Sequence, residues 1–454
     1  MKRVIFISAF NPFVLRNILA GDVLKTVLHQ DKDLSVVIFV PEHKTDFFKK
    51  EVGSDKVIIE GIKTGQISRQ DVFFRFVGSS LVNTPTIQIH KLVNLNKNKR
   101  WLHFFSSWFL IMVASRFRLF KYLVRWLDYF TGRKDYFLEY FTRYQPDLVF
   151  VTDVFNDDDV HLLATAKFCG VKTVGMIRSW DNFTTKGLFR IKPDNLLVHN
   201  DILKKAATNY GAMNAEKIFV SGIPQYDGYI NGTRMPRSDF FKKLDFNPAR
   251  KVILFSPFGN RFSDTDWQLM AMLQEFIERN LIPPAQLLIR LTPNDEVNPG
   301  NFVCGKYCYI DKPGYQFRPG VYRDQELNAQ DMNWLADCLY YSDVVVASGA
   351  SIGIDAAVFG KPAILIYFDG FKDKPYWQSA RRFSKYSHGV SVFKTGAMAP
   401  VFGREELLNN LNIFLSDPNS NKIARDKMLQ EQCWKLDGHS GERIGNFLLA
   451  LLNK

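Results

Sequence analysis

Cysteine is scarce in this sequence, with five residues in 454. The number is odd and the positions are scattered, so the sequence does not predict the disulfide framework of a small secreted protein. Only one pair lies close together, and no second Cys or His pair accompanies it, whereas a structural zinc site needs four ligands. The sequence therefore predicts buried thiols and no metal site. The five residues are Cys169, Cys304, Cys308, Cys338 and Cys433.

Long hydrophobic runs are also absent. The longest, residues 101–114, is interrupted by polar residues and falls short of the ~20 residues that span a bilayer. The apolar run at residues 4–7 stops at Ser8, which is too short for the core of a signal peptide and is typical of a first β-strand. We therefore expect a cytoplasmic protein, either soluble or attached peripherally to the inner face of the plasma membrane.

Motifs of nucleic-acid-binding proteins are missing as well. No RNP, KH, helix-turn-helix or zinc-finger motif is present, although the formal net charge is +13. A basic chain with 40 Phe, 8 Trp and 17 Tyr suits phosphate-bearing substrates or an anionic membrane surface. We therefore expect no nucleic-acid partner.

Residues 100–145 form a basic, aromatic helical insertion, whose clearest element is an amphipathic helix. On a 3.6-residue wheel, Arg118, Lys121 and Arg125 share one face, and six apolar residues share the opposite face. The favoured interpretation is a helix that packs on the domain and exposes its basic face to solvent. The alternative is docking on an anionic membrane or on a lipid-linked acceptor. The six apolar residues are Phe117, Phe120, Leu123, Val124, Leu127 and Phe130.

Apolar, β-branched strands alternate with helices along most of the chain, which predicts an α/β protein with mainly parallel sheets covered on both faces. A turn-rich segment at residues 227–236 divides two such series, so we predict domains at residues 1–235 and 236–435 and a final segment at 436–454. The first series has strands at residues 3–8, 34–40, 57–62, 147–152, 172–177, 195–199 and 217–221 and a helix at 14–30. The second has strands at residues 251–255, 286–291, 343–347 and 363–367 and helices at 264–279 and 351–359.

A turn of small residues joins a strand to a helix in the second domain. The sequence Ser348-Gly349-Ala350-Ser351 follows a buried strand, and its small residues let the backbone approach a ligand closely. The first N–H groups of the following helix have no intrahelical partner, and the helix dipole is positive there. Such a helix start binds phosphate, and Asp355, about one turn further on, is placed to bond ribose hydroxyls.

A strand, a turn of small residues and a helix that carries an acidic residue follow one another here. This arrangement resembles the donor-binding helix of GT-B glycosyltransferases, such as the lipid-linked N-acetylglucosaminyltransferase of peptidoglycan synthesis. In that family a Glu that holds the ribose follows the Gly, and a Gly-x-Pro follows the Glu. Gly349, Asp355 and Gly360 have the same spacings here, but Asp replaces Glu and Ile352 stands where a hydroxyl residue is common. The resemblance implies two Rossmann-like domains with parallel sheets facing across a cleft, acceptor binding in the first domain, donor nucleotide binding in the second, and no cofactor or nucleotide-coordinating metal.

Two further segments are similar to the CDP-glycerol glycerophosphotransferase and capsule-transferase families. Residues 288–293, which include Arg290, resemble their Arg/Lys-x-His-Pro segment, but Thr292 replaces the His. Residues 437–444 resemble their DG-x-x-x-ER-I ending, which opens a C-terminal helix that crosses back to the first domain. The resemblance and the strand-end loops together identify the donor nucleotide and phosphate ligands as Ser348, Gly349, Ala350, Ser351, Asp355, Gly259, Arg261 and Arg290.

A polar loop follows the strand predicted at residues 172–177, and polar groups are too dense in it for a plain connection. Asp181 in this loop is a candidate general base, and Asp153, after the preceding strand, is the second. The acidic run at residues 157–159 is interpreted as a helix start, where carboxylates favour the positive dipole. The candidate ligands of the acceptor or the donor sugar are Arg16, Asn17, Arg178, Trp180, Asn182 and Lys186.

The sequence therefore predicts a metal-independent GT-B glycosyltransferase. It would move a sugar from a nucleotide-activated donor to a glycan or lipid-linked acceptor in bacterial surface polysaccharide synthesis. Three alternatives remain: a CDP-polyol phosphotransferase, a UDP-sugar 2-epimerase, and a non-catalytic basic protein that binds lipid or nucleic acid. Thr292 in place of the His weighs against the first alternative. The second requires more carboxylates and His near the sugar than the sequence identifies.

Overall fold

The computed structural model describes residues 3–31, 33–293, 295–321 and 323–453, so the predicted domain limits at residues 1 and 454 lie outside the described residues. The chain divides into two compact units. The first runs to Ile230 and resumes at Cys433, and the second comprises Asn231–Gln432. Each unit has its own sheet and its own buried cores.

Within the described residues, seven parallel strands form the sheet of the first unit: β1 (Arg3–Ser8), β2 (Leu34–Pro41), β3 (Val57–Ile62), β4 (Leu148–Val151), β5 (Lys172–Met176), β6 (Asn195–Val198) and β7 (Ile218–Val220). Their order is β3-β2-β1-β4-β5-β6-β7. All seven predicted strands are confirmed. They could be predicted because strands buried on both faces are nearly continuous runs of apolar residues, as in β2, which is buried along its whole length.

In the described part of the second unit, six parallel strands form the main sheet, and two short antiparallel strands form a hairpin. The strands are β8 (Lys251–Ser256), β9 (Ala285–Arg290), β10 (Cys308–Asp311), β11 (Tyr315–Gln316), β12 (Gln325–Glu326), β13 (Val344–Ala347), β14 (Ala363–Ile366) and β15 (Met398–Val401). The order of the main sheet is β10-β9-β8-β13-β14-β15, and β11 pairs with β12. The four predicted strands are confirmed, whereas β10 and β15 were not predicted.

The α-helices of the described residues connect these strands. In chain order they are α1 (Asp22–Gln30), α2 (Thr45–Val52), α3 (Arg69–Ser80), α4 (Pro85–Asn98), α5 (Trp101–Met112), α6 (Arg118–Thr131), α7 (Leu138–Tyr144), α8 (Asp157–Phe168), α9 (Asn182–Lys186), α10 (Asp201–Asn209), α11 (Asp227–Asn231), α12 (Arg237–Lys243), α13 (Asp266–Glu278), α14 (Ala329–Tyr341), α15 (Ala350–Val358), α16 (Ser387–Phe393), α17 (Arg404–Ser416), α18 (Lys422–Cys433) and α19 (Ser440–Leu452). None of them is long and apolar enough to cross a membrane.

Helices cover both faces of the sheet in the first unit. Ile5 and Ile7 of β1 belong to a core that includes residues of α1 and α19, whereas Phe6 belongs to a core that includes residues of α7 and α8. Alternate residues of a strand point to opposite faces, so the two cores lie on the two sides of the sheet. Helices on both faces of a parallel sheet make this unit Rossmann-like, as predicted.

The C-terminal helix α19 returns to the first unit, as predicted. Two glycines let it lie close to α1: a Cβ added at Gly445 would be 2.7 Å from Thr26 Cβ, and one added at Gly441 would be 3.1 Å from Asp22 Cβ. The Asp227 carboxylate accepts hydrogen bonds from the backbone N–H groups of residues 440 and 441 at 3.0 and 2.6 Å. It therefore satisfies donors that the helix itself leaves unpaired.

Two of the three residues on the basic face of α6, Lys121 and Arg125, are buried rather than solvated, and only Arg118 is exposed, so the favoured interpretation of this face is wrong. Lys121 and Arg125 are buried, with 5% and 7% of their surface exposed, and their charged groups donate to carbonyl oxygens. Lys121 Nζ donates to Tyr210 O at 3.2 Å, and Arg125 donates to the carbonyls of Phe189 and Gly211 at 3.0 and 2.8 Å. These carbonyls, which follow α9 and α10, offset the cost of burying the two charges, and the sequence of α6 alone does not reveal them.

Two other expectations also fail. Cys304 and Cys308 form a disulfide and Cys169 is exposed, so only Cys338 and Cys433 are the buried thiols that the sequence predicts for all five.

The helix predicted at residues 14–30 is interrupted: a π-helical segment at Leu15–Leu19 precedes α1, and the extended backbone of Gly21 separates the two.

Candidate functional site

In the first unit, polar side chains follow four neighbouring strands at the carboxyl edge of the sheet. Asn11 follows β1, Asp153 follows β4, Arg178 follows β5, and His199 follows β6 directly. These strands are adjacent and parallel, so their carboxyl ends meet at one edge. In open α/β sheets this edge is where ligands bind.

Asp153 is the centre of this group and is fully buried. It accepts hydrogen bonds from Lys186 Nζ at 3.1 Å and from Asn11 Nδ2 at 3.2 Å, and Arg178 Nε lies 3.5 Å away. Burial alone would raise the pKa of the carboxyl group, but the charges of Lys186 and Arg178 more than offset it and hold the pKa below its usual range. Asp153 is therefore a buried, ionised carboxylate paired with two cations.

His199 was not among the residues predicted from the sequence, although it stands at the end of a predicted strand. Burial, and then the charge of Arg178, lower its pKa to about 4, so the ring is neutral at pH 7. In the described residues its Nδ1 is buried without a hydrogen-bond partner. Its ring contacts that of Trp180 edge to face, with centroids 5.9 Å apart. The signal that could have found it is a His at the carboxyl end of a parallel strand.

His199 and Arg178 line one small pocket in the first unit, together with Asn17, Thr152 and Gln225. Beside it, the predicted ligand Arg16 donates to Asn17 Oδ1 at 2.7 Å and to Gln225 Oε1 at 3.0 Å. The pocket is thus bounded by a neutral imidazole, a guanidinium group and two side-chain amides.

Asp181 and Asn182, in contrast, shape the loop that carries them. The Ser179 hydroxyl donates to the Asp181 carboxylate at 2.5 Å, and Thr185 Oγ1 donates to it at 3.2 Å. The Asn182 side chain is buried, and its Oδ1 accepts from the backbone N–H of Ser179 at 3.2 Å. These bonds hold the turn that starts α9 and places Lys186 against Asp153, so the structure favours Asp153 over Asp181 at the centre of the site.

The acidic run that follows Asp153 begins α8, as predicted. Asn156 is the N-cap residue, and its side chain accepts from the backbone N–H of Asp159 at 3.2 Å. Asp159 itself is fully buried and accepts a hydrogen bond from the Ser8 hydroxyl. Burial, and then the nearby negative charge of Asp153, raise the pKa of Asp159 well above its usual range. Near the same edge of the sheet, Asp153 therefore favours the ionised form and Asp159 favours the protonated form.

A second buried charged cluster lies elsewhere in the first unit and was not predicted. Arg190 donates to the carboxylates of Asp71, Asp128 and Asp157, which lie on α3, α6 and α8, at 2.8–3.0 Å. Burial raises the pKa of Asp71, but its hydrogen bonds to His161 and other donors more than offset this and hold the pKa below its usual range. Because Arg190 joins three helices, we interpret this cluster as structural.

In the second unit, the predicted phosphate-binding turn lies between β13 and α15. Gly349 is the N-cap residue of α15, and no side chain caps the helix start. A Cβ added at Gly349 would meet no atom within 4 Å, so space is open beside the turn. Ser348 Oγ is buried and, in the described part of the chain, has no hydrogen-bond partner. Asp355 is buried one turn further along the helix. The turn therefore offers backbone donors and an unused hydroxyl.

The loop after β8 lies at the same edge of the second sheet, because β8 and β13 are neighbours. Gly259 has a φ of +87°, a conformation that favours glycine. The Asp266 carboxylate accepts from the backbone N–H groups of Phe258 and Gly259 at 2.9 and 2.8 Å. Burial raises the pKa of Asp266 to about 6, while these hydrogen bonds act against the rise. Arg261 is exposed at the end of this loop.

Arg290, also predicted to contact phosphate, is buried and forms an ion pair with Asp311. The parallel register of β9 and β10 places these two residues side by side. Since its charge is already compensated within the sheet, Arg290 is not part of the phosphate site that we propose below. In the described residues, no group of three or more His, Cys, Asp or Glu side chains is arranged to hold a metal ion.

Comparison with solved structures identifies relatives of this fold along the whole chain. UDP-GlcNAc 2-epimerase from Neisseria meningitidis, bound to UDP-GlcNAc, matches with a TM-score of 0.55 and 12% identity, over 99% of this chain and 100% of that one. The enzyme from Methanocaldococcus jannaschii, in complex with UDP-GlcNAc and UDP, matches with a TM-score of 0.52 and 13% identity, over 99% and 100%. The Rickettsia bellii enzyme matches with a TM-score of 0.53 and 10% identity, over 100% and 97%.

No protein-family model and no curated protein sequence matches the chain. At these identities the structural likeness establishes the fold, so the predicted GT-B fold with two Rossmann-like domains is confirmed. The narrower resemblance to capsule transferases and the CDP-glycerol group is not supported. The predicted transfer of a sugar to a glycan or lipid-linked acceptor is wrong, because the three structures above are UDP-GlcNAc 2-epimerases, and a UDP-sugar 2-epimerase was one of the alternatives.

Proposed function

We propose that this chain is an enzyme that inverts carbon 2 of a UDP-linked sugar, with UDP-N-acetylglucosamine as its substrate. The observation that carries the proposal is an acid-base group at the ligand-binding edge of a GT-B domain, in which buried Asp153 and His199 lie beside the partly exposed cations Arg178 and Lys186. The likeness to 2-epimerases along the full length of the chain supports the same assignment. This group includes His199, which the sequence did not identify, beside the predicted carboxylate Asp153.

Inversion at carbon 2 requires a C–H bond to break on one face of the sugar and to re-form on the other. When a base removes the proton, the electron pair of the C–H bond forms a double bond between carbons 1 and 2. The bond from carbon 1 to oxygen breaks at the same time, and UDP leaves with the electron pair of that C–O bond. Return of UDP to carbon 1 and of a proton to the opposite face of carbon 2 completes the reaction. The enzyme must therefore exchange protons and hold a diphosphate.

The first unit supplies the proton exchange in this proposal. His199 is neutral, and its buried Nδ1 is available to accept a proton, which is the state that a general base requires. Asp153 stays ionised and holds the charged groups of Lys186 and Arg178 in place. Cations fixed in a low-dielectric environment stabilise negative charge that develops on a departing diphosphate.

The second unit supplies the nucleotide site. The N-terminus of α15 presents backbone N–H groups and the positive end of the helix dipole. The unused hydroxyl of Ser348 donates to a phosphate oxygen, and the open space at Gly349 admits that phosphate. Asp355 accepts from the ribose hydroxyls, as the spacing of the turn predicts.

Turnover tests the proposal directly. Incubation of the protein with UDP-N-acetylglucosamine should yield its carbon-2 epimer, resolved by anion-exchange chromatography. Asp153→Asn cannot hold both cations, and His199→Gln cannot accept the proton, so each should lower kcat at least 100-fold. The matched controls Asp55→Asn and His29→Gln change exposed residues and should retain wild-type activity. Absence of the epimer with the wild-type protein, or full activity of both site variants, would contradict the proposal.

UDP binding tests the nucleotide site separately. Ser348→Ala removes one hydrogen bond to a charged phosphate and should weaken UDP binding about tenfold, which is equivalent to about 1.4 kcal/mol. Isothermal titration calorimetry would measure the change. Ser420→Ala, an exposed serine of the same unit, is the control and should bind UDP as the wild type does. Equal affinities of the two variants would remove Ser348 from the site.

A further inference from the structure

Helices α5 and α6 each expose a continuous apolar stripe. The exposed residues recur at helical spacing on one face of each helix, and Phe117 lies in the short connection between the two. We call these side chains the aromatic face. Its members are Trp101, Leu102, Phe105, Trp108, Phe109, Phe117, Leu119, Tyr122, Leu123, Trp126, Leu127 and Phe130.

The exposure of the aromatic face is large for a protein surface. Leu102 is 89% exposed, Leu119 is 79% exposed and Phe130 is 67% exposed. Single exposed apolar residues are normal, but a contiguous set marks a surface that another apolar phase covers. The opposite sides of the helices are already occupied, since Ile111 and Val124 belong to the core beneath them and Lys121 and Arg125 bond to backbone carbonyls. The aromatic face cannot therefore turn inward without breaking these contacts.

The charge around the aromatic face is of one sign. Residues 72–127 contain nine Lys or Arg and no Asp or Glu, and Asp128, the acidic residue of α6, is buried against Arg190. Five of the basic residues are exposed at the ends of the two stripes: Lys97, Lys99 and Arg100 immediately before α5, Arg116 between α5 and α6, and Arg118 at the first position of α6. Two copies of such a face would repel each other, whereas an anionic surface would attract it.

We infer that the aromatic face docks on an anionic lipid bilayer and lies in its interface. The helices have 12 and 14 residues, so each is about 20 Å long, which is too short to cross a hydrocarbon layer of about 30 Å. Short amphipathic helices with Trp and Leu on one side and flanking cations lie in the plane of the interface. Three of the eight Trp residues of the chain, at positions 101, 108 and 126, belong to this face, and Trp prefers that depth.

Vesicle flotation tests the inference with the full-length protein. Vesicles of phosphatidylcholine alone are compared with vesicles that contain phosphatidylglycerol in addition, and the protein should bind the second at least ten times more tightly. Two combined variants remove the parts of the surface that should bind. The apolar variant is Trp101→Gln, Trp108→Gln and Trp126→Gln combined, and it should lose at least tenfold in affinity, because it removes the groups that enter the interface. The charge variant is Lys99→Gln, Arg100→Gln, Arg116→Gln and Arg118→Gln combined, and it should lose the preference for anionic lipid.

Matched controls change the same number of apolar or basic residues outside the aromatic face. These exposed residues should not affect vesicle binding. The apolar control is Phe168→Gln, Phe371→Gln and Ile423→Gln combined; the charge control is Lys49→Gln, Lys50→Gln, Lys205→Gln and Lys217→Gln combined. Quenching of wild-type Trp fluorescence by brominated lipids gives a measurement that needs no variant. No binding to either vesicle, or sedimentation as a dimer that the apolar variant dissociates, would overturn the inference.

Discussion

At the scale of single residues, burial decides which groups are charged at neutral pH. Asp153 and Asp159 are both fully buried, but only Asp153 has cations beside it, so one pKa is lowered and the other is raised. His199 is buried near a cation, and no carboxylate among the described residues pairs with it, so its pKa falls to about 4. These differences come from side chains that are distant in sequence.

The protonation of His199 predicts how stability depends on pH. Its pKa in the folded protein is about 4, below the value of about 6.5 in an unfolded chain, so its contribution is present above pH 6.5 and is lost as the pH falls toward 4. Between pH 7.0 and 4.5 the free energy of unfolding of the wild type should fall by about 2 kcal/mol more than that of His199→Gln. Urea denaturation at both pH values measures this difference. The control His29→Gln should behave as the wild type does, and parallel losses in wild type and His199→Gln would refute the assignment.

The sequence identified part of the site at this scale. Arg178 and Lys186 could be predicted because polar groups are dense in one loop, and Asp153 because it follows a strand. The choice of Asp153 over Asp181 depends on which cations surround it, and that depends on tertiary contacts. The pairing of Arg290 with Asp311 was equally invisible, since it depends on the register of two strands.

At the scale of elements, close contacts between helices depend on glycine. On α19, Gly445 lies directly over α1, where an added Cβ would be 2.7 Å from Thr26 Cβ and 3.2 Å from Val23 O. Helices packed this closely cannot accept a larger side chain without separating.

Substitution on α19 tests this packing. Gly445→Leu should lower the free energy of unfolding by about 2 kcal/mol, because the strain of overpacking exceeds the gain in helix propensity. Asn446→Leu places the same side chain at the next, exposed position and should change stability by less than about 0.5 kcal/mol. Thermal denaturation of both variants gives the comparison. If Gly445→Leu melts at or above the temperature of Asn446→Leu, the close packing of α1 and α19 is wrong.

The strands were more predictable than the helices for a physical reason. A strand of a parallel sheet is apolar on both faces, which gives a strong local signal, whereas β10 is only half-buried and was missed. The orientation of α6 was predicted in reverse, because an amphipathic pattern separates two faces without showing which one is buried. Carbonyl oxygens near Lys121 and Arg125 decide the outcome here.

At the scale of the whole molecule, two Rossmann-like units were predictable from the alternation of strands and helices, and the chemistry was not. Fold and function separate in this way because different reactions can be built on one fold from loops at the strand ends. In the proposed function, the turn at Ser348–Ser351 holds the nucleotide. The buried group around Asp153 and His199, which no local motif describes, favours proton exchange on the sugar.

One measurement tests the central claim most directly. The protein is incubated with UDP-N-acetylglucosamine in D2O, and the sugar is followed by proton NMR. If carbon 2 is deprotonated, its proton signal should disappear as deuterium enters from solvent, and signals of the epimer should grow at a comparable rate. Asp153→Asn should show neither change. If the wild-type protein is folded and binds UDP, but the sugar keeps its carbon-2 proton throughout, the account is contradicted.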